Sequence, residues 1–126
     1  MTRILLVDDS ADVRRSMRDV LTDLLADVTL GEAGDAATAL DVLSRERWDL
    51  VLLDLSLPDR SGLETLRQIR GIRPAVPVLV MSFNAQAEYA AATRAAGAVG
   101  YIAKGSSLDV IASAVRSALA PASLQK

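Results

Sequence analysis

Five polar residues stand where short apolar runs of the sequence end, and together they could bind a metal ion or take part in phosphoryl chemistry. These residues are Asp8, Asp9, Asp54, Ser82 and Lys104. The chain contains no cysteine and no histidine, which excludes thiol nucleophiles, cysteine-ligated zinc and histidine bases. Any acid–base or phosphoryl chemistry must therefore use Asp, Glu, Lys, Ser or Tyr side chains.

Three carboxylates that share a crevice would favour a cation between them. At about 4 Å, a like-charged pair costs roughly 4 kcal/mol at an effective dielectric near 20. An acidic, all-oxygen site suits a hard ion such as Mg²⁺, or Mn²⁺. The charges of Asp8, Asp9 and Asp54 are balanced by one divalent ion and the Lys104 ammonium, so we expect a metal site with Lys104 as a second cation.

A carboxylate in such a site can also act as a nucleophile and become an aspartyl phosphate. In-line phosphoryl transfer requires mainly positioning and charge neutralisation. The ion would hold one phosphoryl oxygen, Lys104 a second and the Ser82 hydroxyl a third. Taken singly, these residues are explained as well by helix caps, turns and solvated surface. Their convergence under one topology is what favours a site.

The elements that would position these residues follow from the apolar pattern. Five short apolar runs predict strands at residues 4–7, 28–30, 50–53, 78–81 and 99–102. A segment with helical spacing follows each run, and capping residues begin most of these helices. The alternation predicts a parallel sheet with helices on both faces.

The strand order follows from how continuously apolar each run is. The first, third and fourth runs suit the middle of the sheet, and the second and fifth suit its edges. We predict an α/β fold, a flavodoxin-like (βα)5 doubly wound parallel sheet with strand order 2-1-3-4-5. Its crevice lies between the carboxyl ends of strands one and three, where Asp8, Asp9 and Asp54 stand. Ser82 and Lys104 follow strands four and five on the same rim.

Length and composition indicate one ordinary globular domain. The chain has 126 residues, 51% of them hydrophobic and 24% charged, with a net charge of −2. This charge predicts no direct binding to nucleic acid. The first apolar run is too short for a signal peptide, and no run reaches the roughly 18 residues of a membrane span. We expect a cytoplasmic domain over residues 1–120, followed by a tail or the start of a linker at 121–126.

Over essentially its whole length the chain resembles the CheY-like receiver domain of two-component response regulators. The residues that carry the resemblance are Asp8, Asp9, Asp54, Pro58, Gly62, Ser82, Tyr101 and Lys104. As a set they are specific to that family. Residues 96–104 are most similar to receivers of LuxR-type (NarL/FixJ-like) transcription regulators.

The resemblance implies that Asp54 accepts a phosphoryl group from a phosphohistidine on a sensor histidine kinase or a phosphotransfer protein. It also implies that Asp9, Asp54 and the backbone carbonyl of Ser56 ligate Mg²⁺ directly, while Asp8 acts largely through water. Such a protein has no substrate turnover except its own phosphorylation and autodephosphorylation.

Ser82 and Tyr101 correspond to the family's switch pair. The resemblance implies that the Ser82 hydroxyl moves towards the new phosphoryl group and that the Tyr101 ring turns inward. The surface of the fourth helix, fifth strand and fifth helix would then control a downstream output, namely transcription. Apolar faces on the first and last helices could support a homodimer on phosphorylation.

Two residues depart from the family pattern. Phe83 follows the switch hydroxyl, where the family usually has a small residue, and it could act as an access gate that slows phosphorylation, dephosphorylation or both. Gly105 follows Lys104, where proline is common and often cis, so the geometry of that turn is open.

Other functions compatible with this fold are weaker. A receiver-like adaptor that binds partners without phosphorylation remains the alternative, because Phe83 could obstruct the site. A flavin-binding electron carrier would need a phosphate-cradling loop after the first strand, where the chain has Asp8, Asp9 and Ser10. A haloacid-dehalogenase-type phosphatase would need an Asp-x-Asp arrangement there, which is absent.

Overall fold

The structure is a computed structural model that describes residues 2–82 and 87–119. Its strands are β1 (Thr2–Val7), β2 (Val28–Ala33), β3 (Leu50–Asp54), β4 (Val78–Ser82) and β5 (Gly100–Ala103). Its helices are α1 (Ala11–Leu24), α2 (Ala36–Arg45), α3 (Gly62–Ile72), α4 (Ala87–Ala95) and α5 (Leu108–Leu119). The predicted gate, Phe83, and the predicted tail at residues 121–126 lie outside the described residues.

The five strands form one parallel sheet in the order β2-β1-β3-β4-β5, which confirms the predicted flavodoxin-like fold. Every residue of β3 and β4 is buried, because helices cover both faces of these central strands. Asp54 on β3 lies beside Met81 on β4, and Ser82 lies beside Ala103 on β5. The carboxyl ends of these three strands therefore meet at one edge.

Alternate residues of each strand enter two separate cores. Leu5 and Val7 belong to the core beneath α2 and α3, whereas Ile4 and Leu6 belong to the core beneath α1 and α5. The sheet is thus fixed from both sides, and its edge is a rigid platform for the polar residues that follow the strands.

Side-chain caps begin the helices close to where the sequence predicts. The side chains of Ser10, Asp35 and Ser61 accept backbone N–H groups at the starts of α1, α2 and α3, at 3.2, 2.7 and 3.1 Å. Ser106 and Asp109 have the spacing of a capping box, but the cap of α5 is Ser107, whose hydroxyl accepts the N–H of Val110. The Ser106 hydroxyl instead donates to the carbonyl of Ala103 at the end of β5. No helix in the described ranges is long and apolar enough to cross a membrane.

From the sequence we predict that Gly71 ends α3, that Gly97 ends α4 and that Gly105 forms the turn after Lys104. The prediction for Gly71 is wrong, since α3 continues through it to Ile72, and the cap residue Arg73 stands directly before Pro74. A residue before proline is disfavoured in the helical region, so Pro74 sets this end. Gly97, after α4, has φ +109°, and Gly105 has φ +88°; both need glycine's freedom at positive φ.

Candidate functional site

The structure brings the three predicted carboxylates together at the carboxyl edge of the sheet. Asp8 directly follows β1 and Asp54 is the last residue of β3, while Asp9 is the next residue of the loop into α1. One carboxylate oxygen from each lies within 4.8 Å of the others. Asp8 and Asp54 are only 6% and 3% exposed, whereas Asp9 is open to solvent.

Lys104 reaches into the same edge from the end of β5. Its Nζ lies 2.7 Å from Oδ2 of Asp8 and 3.2 Å from Oδ2 of Asp54, and all three side chains are largely buried. The backbone N–H of Lys104 donates to the carbonyl of Ser82 at 2.8 Å, which anchors the lysine beside the end of β4. The buried ammonium is thus shared by two carboxylates.

Burial and neighbouring charges change how these groups hold their protons. Burial raises the pKa of the Asp54 carboxyl, and the charge of Asp8 adds to this, whereas the Ser56 N–H and the charge of Lys104 oppose it. Burial alone would lower the pKa of Lys104, but its hydrogen bond to Asp8 and the charges of both carboxylates outweigh burial and raise that pKa. The pair of acids therefore holds the lysine in its charged form.

The backbone orients one oxygen of each buried carboxylate. The N–H of Ser56 donates to Oδ1 of Asp54 at 3.0 Å, and the N–H of Ser10 donates to Oδ1 of Asp8 at 2.9 Å. Both Oδ2 atoms consequently face Lys104. Oδ2 of Asp54 is buried, and among the described residues none gives it a well-directed hydrogen bond.

This donor set fits a divalent cation such as Mg²⁺. Three carboxylates supply hard oxygen ligands, and the buried Oδ2 of Asp54 has an acceptor position that a cation could satisfy. Asp8, Asp9, Asp54 and Lys104 together carry a charge of about −2 when all are ionised, which one divalent ion would balance.

The two predicted switch residues lie on neighbouring strands. Ser82 ends β4 and is 4% exposed. Tyr101, on β5, packs its half-buried ring against the core beneath α2 and α3. Its hydroxyl is buried, and no partner for it is found among residues 2–82 and 87–119. The ring thus already lies against the core in this structure.

Two residues that contact the elements around the site were not predicted from the sequence. The Arg14 guanidinium donates to the backbone carbonyl of Asp8. The Asp59 carboxylate, in the loop after Asp54, accepts the N–H groups of the first two residues of α2 at 2.9 and 3.0 Å. Arg14 stands one turn into the helix after the acidic pair, a spacing that could have suggested a return contact. No local pattern indicates the contact of Asp59 with α2.

The sequence is similar to known proteins over most of its length. Residues 4–116 match the family described as "Response regulator receiver domain". The "Response regulator UvrY" of Escherichia coli (strain K12) is 33% identical over 117 residues, covering 93% of this chain and 54% of UvrY. The "Nitrate/nitrite response regulator protein NarP" of the same strain is 32% identical over 114 residues, covering 90% of this chain and 53% of NarP. The chain therefore spans about half the length of these two relatives.

A solved structure shows the same likeness in three dimensions. The crystal structure of a two-component response regulator of the LuxR family from Aurantimonas sp. SI85-9A1 has a TM-score of 0.88 to this chain. The two are 32% identical, and the match covers 94% of this chain and 86% of that one.

Proposed function

This chain belongs to the response regulator receiver domain family, and from that premise we propose that Asp54 is its phosphoacceptor. The donor would be a phosphohistidine on a sensor histidine kinase or a phosphotransfer protein, and the transfer would require Mg²⁺ or Mn²⁺. The observation that carries the proposal is the convergence of Asp8, Asp9, Asp54 and Lys104 at one edge of the sheet. The names of UvrY and NarP place these relatives among response regulators.

The proposed step is an in-line transfer to a carboxylate oxygen. A phosphorus–oxygen bond forms on Asp54 while the phosphorus–nitrogen bond of the donor breaks, and the electron pair of that bond stays on the imidazole. Asp8, Asp9, Asp54 and the backbone carbonyl of Ser56 would hold the metal ion. When bound, the ion supplies positive charge that stabilises the oxygens of the transferring group.

Access to Asp54 requires a neighbouring side chain to move. The Asp54 side chain is only 2% exposed, and the group in contact with its Oδ2 is the ammonium of Lys104. Lys104 could swing from Oδ2 to an oxygen of the phosphoryl group, which would exchange one ion pair for another and keep the buried ammonium paired. The Ser82 hydroxyl would bind another phosphoryl oxygen.

The signal would leave the site through β4 and β5. The backbone hydrogen bond between Lys104 and Ser82 joins the lysine to the strand that carries the switch hydroxyl. Tyr101 lies on β5, the strand that Lys104 directly follows, and its unpartnered hydroxyl means that no polar contact within the described ranges fixes its ring. We expect the surface of α4, β5 and α5 to change and to control an output. Similarity to a LuxR-family regulator favours transcription as that output.

Incubation with acetyl phosphate tests this proposal. Intact-mass spectrometry should count one phosphoryl group per chain in the presence of Mg²⁺ and none in EDTA. Asp54→Asn should abolish the modification, whereas Asp23→Asn, which changes an exposed carboxylate of α1, should not. Wild-type protein that stays unmodified in Mg²⁺ would contradict the proposal.

A phosphorylation-independent adaptor is the second candidate, and the burial of Asp54 is the observation in its favour. A donor cannot react with a carboxylate that it cannot reach. If the adaptor function is correct, acetyl phosphate should leave the wild-type chain unmodified, and binding to a histidine kinase should be the same for wild-type protein and Asp54→Asn. Loss of kinase binding only after phosphorylation would exclude the adaptor.

A further inference from the structure

Arg14, on α1, links the acidic loop after β1 to the edge strand β2. Its guanidinium donates to the backbone carbonyl of Asp8, and its Nε lies 2.7 Å from Oε1 of Glu32 on β2. Arg18, one turn further along α1, lies 3.2 Å from the other oxygen of Glu32. Only 18% of the Arg14 side chain is exposed, so its partners hold it in one place.

The carbonyl that Arg14 holds belongs to the peptide bond between Asp8 and Asp9. Fixing this peptide fixes the direction in which the next side chain leaves the backbone. Asp8 has further contacts, since its N–H donates to the carbonyl of Ala33 at 3.0 Å and its carboxylate contacts Lys104. The Asp9 carboxylate is exposed, and within the described ranges no side chain or backbone group pairs with it. Its placement therefore depends on the backbone that Arg14 holds.

The charge of Arg14 would by itself oppose the binding of a cation. A guanidinium beside the acidic loop competes with a metal ion for the same negative potential. Glu32 reduces this conflict, because it contacts both Arg14 and Arg18, so that the three side chains together carry a charge of +1 rather than +2. Arg14 thus supplies a directed hydrogen bond, while Glu32 lowers the positive charge around it.

We propose that Arg14 is a positioning residue for the magnesium site, and that Glu32 orients its guanidinium and partly neutralises its charge. This inference rests on the proposed function, because it takes Asp8, Asp9 and Asp54 as the site of the ion. Neither Arg14 nor Glu32 would touch the ion or the phosphoryl group. Their effect is on where the carboxylates of the loop point.

The affinity for Mg²⁺, measured by isothermal titration calorimetry, distinguishes the positioning role of Arg14 from the effect of its charge. Arg15→Gln is the matched control, because it removes the same charge at the neighbouring residue. The Arg15 side chain is 76% exposed, and its contact with Asp12 is long, at 3.8 Å. Removing a positive charge without other effect should leave binding unchanged or slightly tighter. Arg14→Gln should instead weaken Mg²⁺ binding on the order of tenfold. Glu32→Gln should weaken it about threefold at low ionic strength and less at high salt.

A role confined to folding would give a different result. It would lower the melting temperature in EDTA and leave the magnesium affinity unchanged. Arg14→Lys, which keeps the charge but replaces the planar guanidinium with a single ammonium, should show part of the loss of affinity and serves if Arg14→Gln does not fold. If both Arg14 variants bind Mg²⁺ as tightly as Arg15→Gln, the inference is wrong and the proposed function stands. If the wild-type protein does not bind Mg²⁺, both are wrong.

Discussion

Lys104 lies closer to Asp8 than to Asp54, with its Nζ 2.7 Å from Oδ2 of Asp8. The lysine is therefore bound more closely by Asp8, which is not the proposed phosphoacceptor. Asp54, at 3.2 Å, is the second partner. Because the ammonium has two anchors, it can leave Asp54 for an incoming phosphoryl group while Asp8 still neutralises it.

Lys104→Met should destabilise the protein and at the same time improve its affinity for Mg²⁺. The substitution leaves two buried carboxylates without their cation, which should lower the free energy of unfolding by about 3 kcal/mol in EDTA. It also removes a cation that competes for the same oxygens, so the stabilisation gained on adding Mg²⁺ should exceed that of the wild type. Urea unfolding with and without Mg²⁺ measures both effects, and a smaller gain in the variant would contradict the competition.

Asp54→Asn should be more stable than the wild type near neutral pH in EDTA. Burial raises the pKa of Asp54 in the folded chain. The stability that such a carboxyl contributes is fully present below its unfolded pKa, about 3.9, and is lost as the pH rises through the folded-state value. The ionised carboxylate therefore destabilises the fold near neutral pH, and removing it should raise the free energy of unfolding by about 1 kcal/mol.

The difference should narrow as the pH falls from neutrality towards about 4, because the folded wild-type carboxyl takes up its proton at a higher pH than the unfolded one. Urea unfolding across this range measures it, with Asp23→Asn as the exposed control. An Asp54→Asn protein that is less stable than the wild type near neutrality would show that the ion pair with Lys104 outweighs burial.

The change in stability caused by Asp59→Ala should depend on pH in the opposite sense to that caused by Asp54→Asn. The hydrogen bond from the Ala36 N–H is the main cause that lowers the pKa of Asp59, and the Ala37 N–H adds to it. A carboxylate of this kind stabilises the fold above its unfolded pKa and stops doing so as the pH falls through the folded-state value. The variant should be less stable near neutrality and approach the wild type in acid.

Thermal unfolding as a function of pH measures this effect. Asp59→Asn retains one acceptor oxygen for the start of α2 and should lie between Asp59→Ala and the wild type. A loss of stability that does not depend on pH would mean that packing of the Asp59 side chain, rather than its charge, matters.

Tyr101→Phe should stabilise the protein. The Tyr101 hydroxyl is buried without a partner among the described residues, and an unsatisfied buried polar group costs about 1 kcal/mol or more. The ring that packs against the core beneath α2 and α3 is unchanged by the substitution. The free energy of unfolding in urea should rise by about 1 kcal/mol; a decrease would show that the hydroxyl has a favourable contact.

The fold was predictable because the sequence repeats one pattern. The apolar run before Asp54 indicates a strand buried on both faces, and similar runs before Asp8 and Ser82 place the other central strands. The edge strand β2 was predicted too short, since it continues to Ala33 beside β1. Gly31 interrupts its apolar pattern, because a Cβ there would lie 2.3 Å from the ring of Trp48.

The strand order predicts which residues share the site but not the distances between them. Strand order alone indicates that Asp8, Asp54 and Lys104 share an edge. It does not indicate that Lys104 lies closer to Asp8, nor that Asp54 is almost fully enclosed. The same is true of the contact between Asp59 and α2, because it joins elements far apart in sequence whose separation depends on side-chain packing.

The most direct test of the central claim is the identity of the residue that receives phosphate. After incubation with acetyl phosphate and Mg²⁺, borohydride reduction of any aspartyl phosphate followed by peptide mass spectrometry locates the modified side chain. We predict that Asp54 carries the modification, and that the yield falls to background in EDTA. Phosphate on any other residue, or an unmodified Asp54 under conditions in which Mg²⁺ demonstrably binds, would contradict the claim.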